Sequence, residues 1–267
     1  MYEFDVTKVF PKNTVSISLT AGECALACKH CNKKYLCHML PISAVVRAGL
    51  SALPKNATSV LISGGCDSSG VVPLIKHAPH IRELKKKFRV IAHTGIGSIP
   101  DSDIKKIASL VDVISFNLIG ATSTIKNIYG VSQPTADMLM ENFLKLSRAV
   151  RVVPHITVGL DACKIVGEYK AIDFLADQGF REIVINVLIP TKGTEFALLA
   201  PVCQDDVVQL LAYARERINS VTLGCMRPRG KYRTTLDKRV LEFVDKIVNP
   251  SINFVSTKSP HLECCVL

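Results

Sequence analysis

The sequence contains no tryptophan, and aromatic residues make up only 6% of the chain. Proteins that bind single-stranded nucleic acids stack the bases on aromatic side chains. The formal charge of +10 is spread along the chain and does not by itself indicate nucleic-acid binding. An acidic protein partner or an anionic ligand explains this charge equally well.

Long apolar runs are also missing from the sequence. No segment approaches the roughly 18 uninterrupted apolar residues of a membrane-spanning helix. The N-terminal stretch MYEFDVTKVFPKN carries charges where a secretion signal has an apolar region. We therefore expect a soluble, cytoplasmic protein without a membrane partner. In that compartment the 10 cysteines are expected to be reduced, serving as metal ligands or small core residues.

Short apolar runs alternate with longer segments of helical period, which is typical of parallel βα units. The predicted strands cover residues 15–20, 59–63, 89–94, 111–118, 151–159, 182–189, 221–225 and 252–256. The predicted helices lie near residues 41–53, 71–87, 101–110, 134–149, 165–178, 204–219 and 236–247. This order predicts an α/β fold, a TIM-type (β/α)8 barrel in a single domain over residues 1–267, with 257–267 as a C-terminal tail. The alternative is an open (β/α)6 barrel with extra C-terminal elements.

The first predicted strand leads into a loop with three closely spaced cysteines, Cys24, Cys28 and Cys31. In a TIM-type barrel this loop lies at the active-site end. Soft thiolate ligands favour zinc or an iron–sulfur cluster. A structural zinc site and an electron-transferring cubane both use four protein ligands, whereas three thiolates leave one iron open. A zinc site completed by Cys37 or His38 is the alternative interpretation.

A strand followed by C-x3-C-x2-C is the pattern of the radical S-adenosylmethionine enzymes, which this sequence resembles. The resemblance implies a 4Fe–4S cluster on Cys24, Cys28 and Cys31 whose open iron binds S-adenosylmethionine. In that family one electron cleaves the cofactor to methionine and a 5′-deoxyadenosyl radical. The radical then abstracts hydrogen from an unactivated C–H bond.

The same resemblance assigns cofactor-binding residues after later strands. Gly64 and Gly65 match the Gly-Gly-Glu motif, whose backbone receives the methionine amine, although Cys66 and Asp67 follow here in place of glutamate. Asn117 ends the fourth predicted strand, where a polar side chain of this fold can hold the ribose hydroxyls. A loop-capping asparagine is the other interpretation of this position.

Two further stretches resemble the cofactor-binding regions of biotin synthase and lipoyl synthase. Glu168 opens a helix in KIVGE, and Ile189 lies in NVLIPTKGT, which resembles the biotin synthase stretch that closes over the adenosyl group. A helix dipole alone also favours a glutamate in a first helical turn. The segment from Lys192 to Thr194 would otherwise be an ordinary turn.

A basic segment from Arg227 to Arg233 follows the seventh predicted strand, with Cys225 at the strand end. Guanidinium groups suit carboxylates and phosphates. The segment therefore predicts an anionic ligand or an acidic carrier protein at the barrel mouth. A solvated basic loop is the alternative.

Taken together, these motifs resemble those of small archaeal biotin-synthase-like radical proteins, a group that includes the subunits of a two-component lipoyl synthase. This resemblance implies sulfur insertion into an octanoyl chain on a carrier protein or lipoyl-type domain, with an electron donor and a related partner subunit. Such chemistry uses a second, auxiliary iron–sulfur cluster as sulfur donor. The candidate ligands are Cys37, Cys225, Cys264 and Cys265, the last two if the tail folds back over the mouth.

Two other classes of function stay open. One is a radical enzyme of another chemistry, such as methyl transfer or rearrangement. The other is a non-catalytic metal-binding or electron-transfer protein, which would not need ligand-binding motifs at later strand ends. True biotin synthase is not expected, because Asn117 and His155 stand where that enzyme has cysteines for its second cluster.

Overall fold

The predicted alternation of strands and helices is present in the computed structural model, which describes residues 3–267. The strands are β1 (Glu3–Phe4), β2 (Thr7–Val9), β3 (Thr14–Ser18), β4 (Leu40–Pro41), β5 (Ser59–Ser63), β6 (Arg89–Ala92), β7 (Val113–Asn117), β8 (Arg151–Val158), β9 (Glu182–Val187), β10 (Ser220–Leu223), β11 (Lys246–Val248) and β12 (Val255–Ser256). The α-helices are α1 (Ile42–Ala48), α2 (Ala78–Lys85), α3 (Asp101–Leu110), α4 (Thr122–Thr124), α5 (Ala136–Ser147), α6 (Glu168–Asp177), α7 (Gln204–Arg217) and α8 (Lys231–Arg239).

Short helices of other types complete the secondary structure. Three 3-10 helices cover Lys34–His38, Gly49–Ala52 and Ile75–His77, and a π-helix covers Ile125–Tyr129. Within residues 3–267, no helix combines the length and the apolar character needed to cross a membrane.

Ten strands form one parallel sheet in the order β2-β11-β10-β9-β8-β7-β6-β5-β3-β4. From β3 through β5 to β11 the neighbours follow the chain, as in a TIM-type barrel, while β1 and β12 pair separately. The predicted α/β barrel is confirmed. Because all these strands are parallel, their carboxyl ends meet at one end of the barrel, where Asn117 pairs with His155.

The strands read as near-continuous apolar runs because helices cover their outer face and side chains fill the interior. One inner layer consists of Val9, Ile91, Val113, Val153, Val184 and Val248 together with Cys265 and Val266. The outer faces belong to a second and larger cluster that includes the apolar sides of the helices. Packing on both faces therefore fixes the strand register.

The last strand and its helix differ from the sequence-based prediction. The eighth barrel strand is β11, residues 246–248, and not 252–256, whose last residues pair with β1 instead. The preceding helix spans Lys231–Arg239 and not 236–247, and it begins directly after Gly230, whose φ is 68°. A three-residue strand is too short to show an alternating pattern. The helical pattern of the preceding residues was therefore extended into it, and the predicted helix 236–247 overlaps β11.

The C-terminal tail enters the barrel at the beginnings of its strands. The backbone N–H of Cys264 donates to Thr14 Oγ1 (2.8 Å), at the start of β3. Arg151, at the start of β8, donates to the carbonyl of Val266 (2.6 Å). The tail thus covers the end opposite the cysteine loop and does not fold back over the mouth.

Candidate functional site

The three-cysteine loop follows β3 and lies against two neighbouring segments at the mouth. The backbone N–H of Ala25 donates to the carbonyl of Cys66 (2.8 Å), and that of Lys29 donates to the carbonyl of Ile128 (2.9 Å). The first bond ties the loop to the segment after β5, and the second ties it to the π-helix. These contacts set where the cysteines lie relative to the barrel interior.

Cys24, Cys28 and Cys31 line one cavity of about 170 Å³. A turn brings the last two together, because the backbone N–H of Cys31 donates to the carbonyl of Cys28 (3.1 Å). Asn32 and Lys33 then adopt left-handed backbone conformations, with φ of 38° and 64°. The sequence-predicted ligands therefore share one cavity.

A hydrogen bond favours the thiolate form of one of the three sulfurs, that of Cys31. The side chain of Cys28 hydrogen-bonds to Cys31, which lowers the pKa of Cys31 to about 7 and raises the pKa of Cys28. The backbone N–H of Cys66 lies 3.2 Å from Cys24 Sγ and donates to it. Metal ligation requires the thiolate, so these contacts suit a metal-binding role.

Other features of the cavity also fit a bound cluster and cofactor. The ring of His30 lines the cavity, and its buried Nδ1 has no hydrogen-bond partner among residues 3–267. Within the same described range, no group of three or more His, Cys, Asp or Glu side chains is arranged to hold a metal ion as it stands. The three thiols fit a cluster by their chemistry and by the cavity that they share.

The Gly-Gly pair after β5 packs directly against the cysteine loop. The backbone N–H of Gly65 donates to Thr20 Oγ1 (2.7 Å). A Cβ atom at Gly65 would lie 1.9 Å from the carbonyl oxygen of Glu23 and 2.5 Å from Cys24 Cβ. Only glycine allows this close approach of the two segments.

If the cysteine loop binds a cluster and S-adenosylmethionine, as the sequence resemblance implies, Gly65→Ala should slow cofactor cleavage about tenfold while the cluster remains, since overpacking of this kind costs about 1–3 kcal/mol. The measurement is cofactor cleavage at several cofactor concentrations, with iron analysis of the same samples. Gly179→Ala is the control, because its Cβ would meet nothing within 4 Å although its φ is +74°. Cleavage by Gly65→Ala at the wild-type rate would show that this contact does not matter.

The residues after the Gly-Gly pair take different positions. Cys66 lines the cysteine cavity, where burial raises its pKa to about 12. Asp67 Oδ1 accepts hydrogen bonds from the backbone N–H groups of Ser69 (2.9 Å) and Val71 (3.1 Å). The carboxylate of Asp67 therefore binds backbone groups of its own loop, residues 67–71. Cys66, and not Asp67, lies next to the three cysteines.

A second cavity of about 430 Å³ occupies the barrel interior, which we call the chamber. It continues the cysteine cavity, because both are lined by His30, Tyr35, Leu36, Ser63, His93, Asn117 and Tyr129. The chamber also contacts three more cysteines, Cys225, Cys264 and Cys265. Cys37, by contrast, is exposed and lines neither cavity. A ligand at the cysteine loop would therefore face the chamber.

Two of the predicted cofactor-binding residues lie away from both cavities. Glu168 is buried and accepts hydrogen bonds from the backbone N–H groups of Gly159 (2.8 Å), Val166 (2.8 Å) and Gly167 (2.9 Å). It lines a separate small pocket behind the strand ends. Ile189 is half-buried and lines neither cavity. Asn117, in contrast, lines both.

Two cations of the basic segment after β10, Arg227 and Arg233, make structural contacts, whereas Arg229 and Lys231 are exposed. Arg227 is fully buried and pairs with Asp237, with Nε 2.7 Å from Oδ1. Arg233 donates to the carbonyls of Cys225 (3.3 Å) and Arg227 (3.0 Å). The sequence-based prediction that the whole segment binds an anionic ligand is therefore wrong for Arg227, whose guanidinium is already paired.

Sequence reasoning missed two residues that line both cavities, His93 and Tyr129. His93 follows β6, so testing every strand end for a polar residue, as was done for Asn117, would have found it. Tyr129 lies in the π-helix, and its ring meets that of His30 edge-on at 5.1 Å. Nothing in its sequence neighbourhood points to the barrel mouth.

Comparison with known proteins shows a shared fold and no sequence relative. No protein-family model matches the sequence, and no curated protein matches it. Solved structures do match. Methylornithine synthase (PylB) is 10% identical with a TM-score of 0.62, and the match covers 93% of this chain and 74% of that one.

Two other similar structures contain S-adenosylmethionine. Streptococcus suis SuiB bound to S-adenosylmethionine is 15% identical, with a TM-score of 0.56 and coverage of 92% of this chain and 54% of that one. The anSMEcpe structure with bound AdoMet and the Kp18Cys peptide is 12% identical, with a TM-score of 0.53 and coverage of 76% and 59%. This chain thus spans less than two thirds of either protein. At such identities the likeness establishes the fold alone.

Proposed function

We propose that this protein is a radical S-adenosylmethionine enzyme. The observation that carries the proposal is the shared cavity of Cys24, Cys28 and Cys31, which opens into the barrel chamber. A structural zinc site could take Cys66, which lines the same cavity, as its fourth ligand, but it would need no connected chamber. The fold shared with two S-adenosylmethionine-bound proteins supports the same function.

The residues of the chain have distinct roles in this proposal. The three cysteines hold a 4Fe–4S cluster, which supplies the electron that cleaves S-adenosylmethionine. Gly65 brings its backbone close to the cysteine loop, and Asn117 presents an amide between the two cavities. The barrel walls keep bulk water away from the chamber, where a carbon radical would otherwise be quenched.

The test is reductive cleavage of S-adenosylmethionine by the reconstituted protein under anaerobic conditions. We expect 5′-deoxyadenosine to form only when cluster, cofactor and reductant are all present. Protein that takes up stoichiometric zinc and no iron under these conditions would refute the proposal.

For the reaction itself we propose sulfur insertion into an octanoyl chain on a carrier protein, as in lipoyl biosynthesis. The supporting observation is the group of Cys225, Cys264 and Cys265, which line the same chamber. A hydrogen bond from Cys265 lowers the pKa of Cys264 to about 7. Thiolates on the chamber wall could hold an auxiliary iron–sulfur cluster that faces the radical site across the chamber, although the tail enters from the opposite end and does not fold back over the mouth. Cys37 lines neither cavity, so the proposal leaves it out of this group.

The auxiliary cluster is tested by iron and sulfide analysis of the Cys24→Ala, Cys28→Ala, Cys31→Ala triple variant. We expect this variant to retain one cluster, since the chamber cysteines are intact. Adding alanine substitutions at Cys225, Cys264 and Cys265 should remove it. A well-folded triple variant without iron would eliminate the sulfur-donor role and leave a radical enzyme of other chemistry.

An acidic carrier protein is the partner that suits the outer rim of the mouth. Lys34 on the cysteine loop and Arg229 and Lys231 after β10 are exposed. Exposed cations attract an acidic partner over distances that salt screens. An electron donor must also dock to reduce the cluster. Because a lipoyl product needs two sulfur atoms, a related partner subunit would insert the second one.

A further inference from the structure

The beginnings of the first two barrel strands, β3 and β5, leave room in the interior. Side chains alternate between the two faces of a strand, and Ser16 of β3 and Ser63 of β5 line the chamber. Thr14 and Ser59 therefore also point inward, where their hydroxyl oxygens lie 2.8 Å apart. Since protein interiors are close-packed, another part of the chain must fill the space beside these small residues. Later strands place branched side chains in the inner layer instead, namely Val113, Val153, Val184 and Val248.

The C-terminal tail fills this space. The backbone N–H of Cys264 donates to Thr14 Oγ1 (2.8 Å), and Cys265 and Val266 belong to the inner layer. Val266 is completely buried, and Cys265 is 9% exposed. Cys264 and Cys265 also line the chamber. Because the tail enters opposite the mouth, these residues form the floor of the chamber.

Polar contacts at the beginnings of several strands hold the tail in place. Glu263 pairs with Arg89, the first residue of β6, and accepts a hydrogen bond from Thr58 Oγ1 (2.7 Å). Lys246, the first residue of β11, donates to the carbonyl of Cys265 (3.2 Å). These anchors and the contact from the start of β8 come from separate strands around the barrel. The tail therefore closes the base and does not lie along one side of it.

We infer that residues 261–267 act as a plug that seals the chamber at the base of the barrel. The mouth, where the chamber meets the cysteine cavity, is then the route by which ligands and water enter. A sealed base keeps a reactive group in the chamber away from bulk solvent. The plug is held by hydrogen bonds, an ion pair and packing, so its release would open a second route into the chamber. The inference requires neither a bound cluster nor S-adenosylmethionine.

The seal and the placement of two interior thiols depend on the same contacts. Cys264 and Cys265 face the chamber while the plug is seated, because Glu263 and Val266 fix the segment on either side of them. Release of the plug would therefore open the base and withdraw both thiols from the interior at once. A thiol reagent that cannot pass the mouth distinguishes the seated plug from the released one.

The test is the rate at which the plug thiols react with a maleimide that carries a long polyethylene glycol chain, too bulky to pass the mouth. Full-length, metal-free protein is labelled in its native state, and mass spectrometry of the digested protein assigns each modified cysteine. We expect slow labelling of Cys264 and Cys265 in the wild-type protein, whereas Cys203, which is exposed, reacts quickly. Labelling of Cys265 at the rate of Cys203 would overturn the inference.

Val266→Asp should release the plug, because it places a carboxylate without a partner in the inner layer, which is costly. We expect the labelling rate of Cys264 and Cys265 to rise roughly 100-fold, since labelling follows the population of the open state. Leu262→Asp is the matched control. Leu262 lies on the same segment but is 44% exposed, so this variant should be labelled at the wild-type rate.

Glu263→Lys tests the plug without changing the inner layer. The new side chain repels Arg89 and should raise the labelling rate of Cys265 about tenfold. Circular dichroism shows whether each variant is folded, and a Val266→Asp protein that unfolds leaves the decision to Glu263→Lys. Folded variants that are labelled no faster than the wild type would overturn the inference. Because no metal is present during labelling, the outcome does not depend on the proposed cluster.

Discussion

Cys28→Ala is expected to abolish binding of the proposed 4Fe–4S cluster at the cysteine loop and, with it, all of the proposed S-adenosylmethionine cleavage. Two thiolates cannot retain a cubane cluster against solvent, and burial raises the pKa of Cys66, the other thiol of this cavity, to about 12, which disfavours its thiolate as a replacement ligand. Cys28 is only 5% exposed, and its side chain hydrogen-bonds to that of Cys31. Its loss therefore removes a ligand and the contact that favours the Cys31 thiolate.

The measurement is iron content together with the electron paramagnetic resonance signal of the reduced protein. Cys203→Ala is the matched control, since Cys203 is exposed and lies away from both cavities. It should keep the wild-type signal. A Cys28→Ala variant with the same reduced signal as wild type would place the cluster elsewhere.

Arg227→Met should lower the free energy of unfolding by about 3–5 kcal/mol, because it leaves a buried carboxylate without its partner. Arg227 and Asp237 are both fully buried. Arg227 also donates to the carbonyls of Gly224 (2.6 Å) and Val248 (2.9 Å), which join the ends of β10 and β11. The ion pair thus holds the last barrel strands together.

Denaturant unfolding of the metal-free protein measures this effect without interference from the cluster. Arg229→Met is the control, because Arg229 is exposed on the same loop and should change stability by less than about 0.5 kcal/mol. Equal stability of the two variants would mean that Arg227 does not support the barrel. Arg227 would then again be a candidate for binding an anionic ligand, as the sequence alone suggested.

Local patterns were enough to predict the barrel and the cysteine loop. The predicted strands that became β3 and β5 to β10 are apolar runs bounded by helical segments, and each signal lies within about ten residues of chain; the short strands β1, β2 and β4 were not predicted. The C-x3-C-x2-C spacing is equally local. The position of this loop at the mouth followed from the βα alternation, since loops after parallel strands share one end.

Features that depend on distant parts of the chain were not predictable in this way. The tail reaches the barrel interior through contacts about 250 residues apart, such as that of Cys264 with Thr14. The burial of Arg227 depends on Asp237 and on carbonyls of two strands, whereas the sequence shows only a run of cations. The chamber is likewise a product of assembly, because its lining comes from most of the strands.

The central claim is that the three-cysteine loop binds a cluster that cleaves S-adenosylmethionine. The most direct test is mass-spectrometric detection of 5′-deoxyadenosine after anaerobic reconstitution and addition of cofactor and dithionite. We predict 5′-deoxyadenosine from the wild-type protein and none from Cys28→Ala or from samples without reductant. Iron-loaded wild-type protein that forms no 5′-deoxyadenosine would contradict the account.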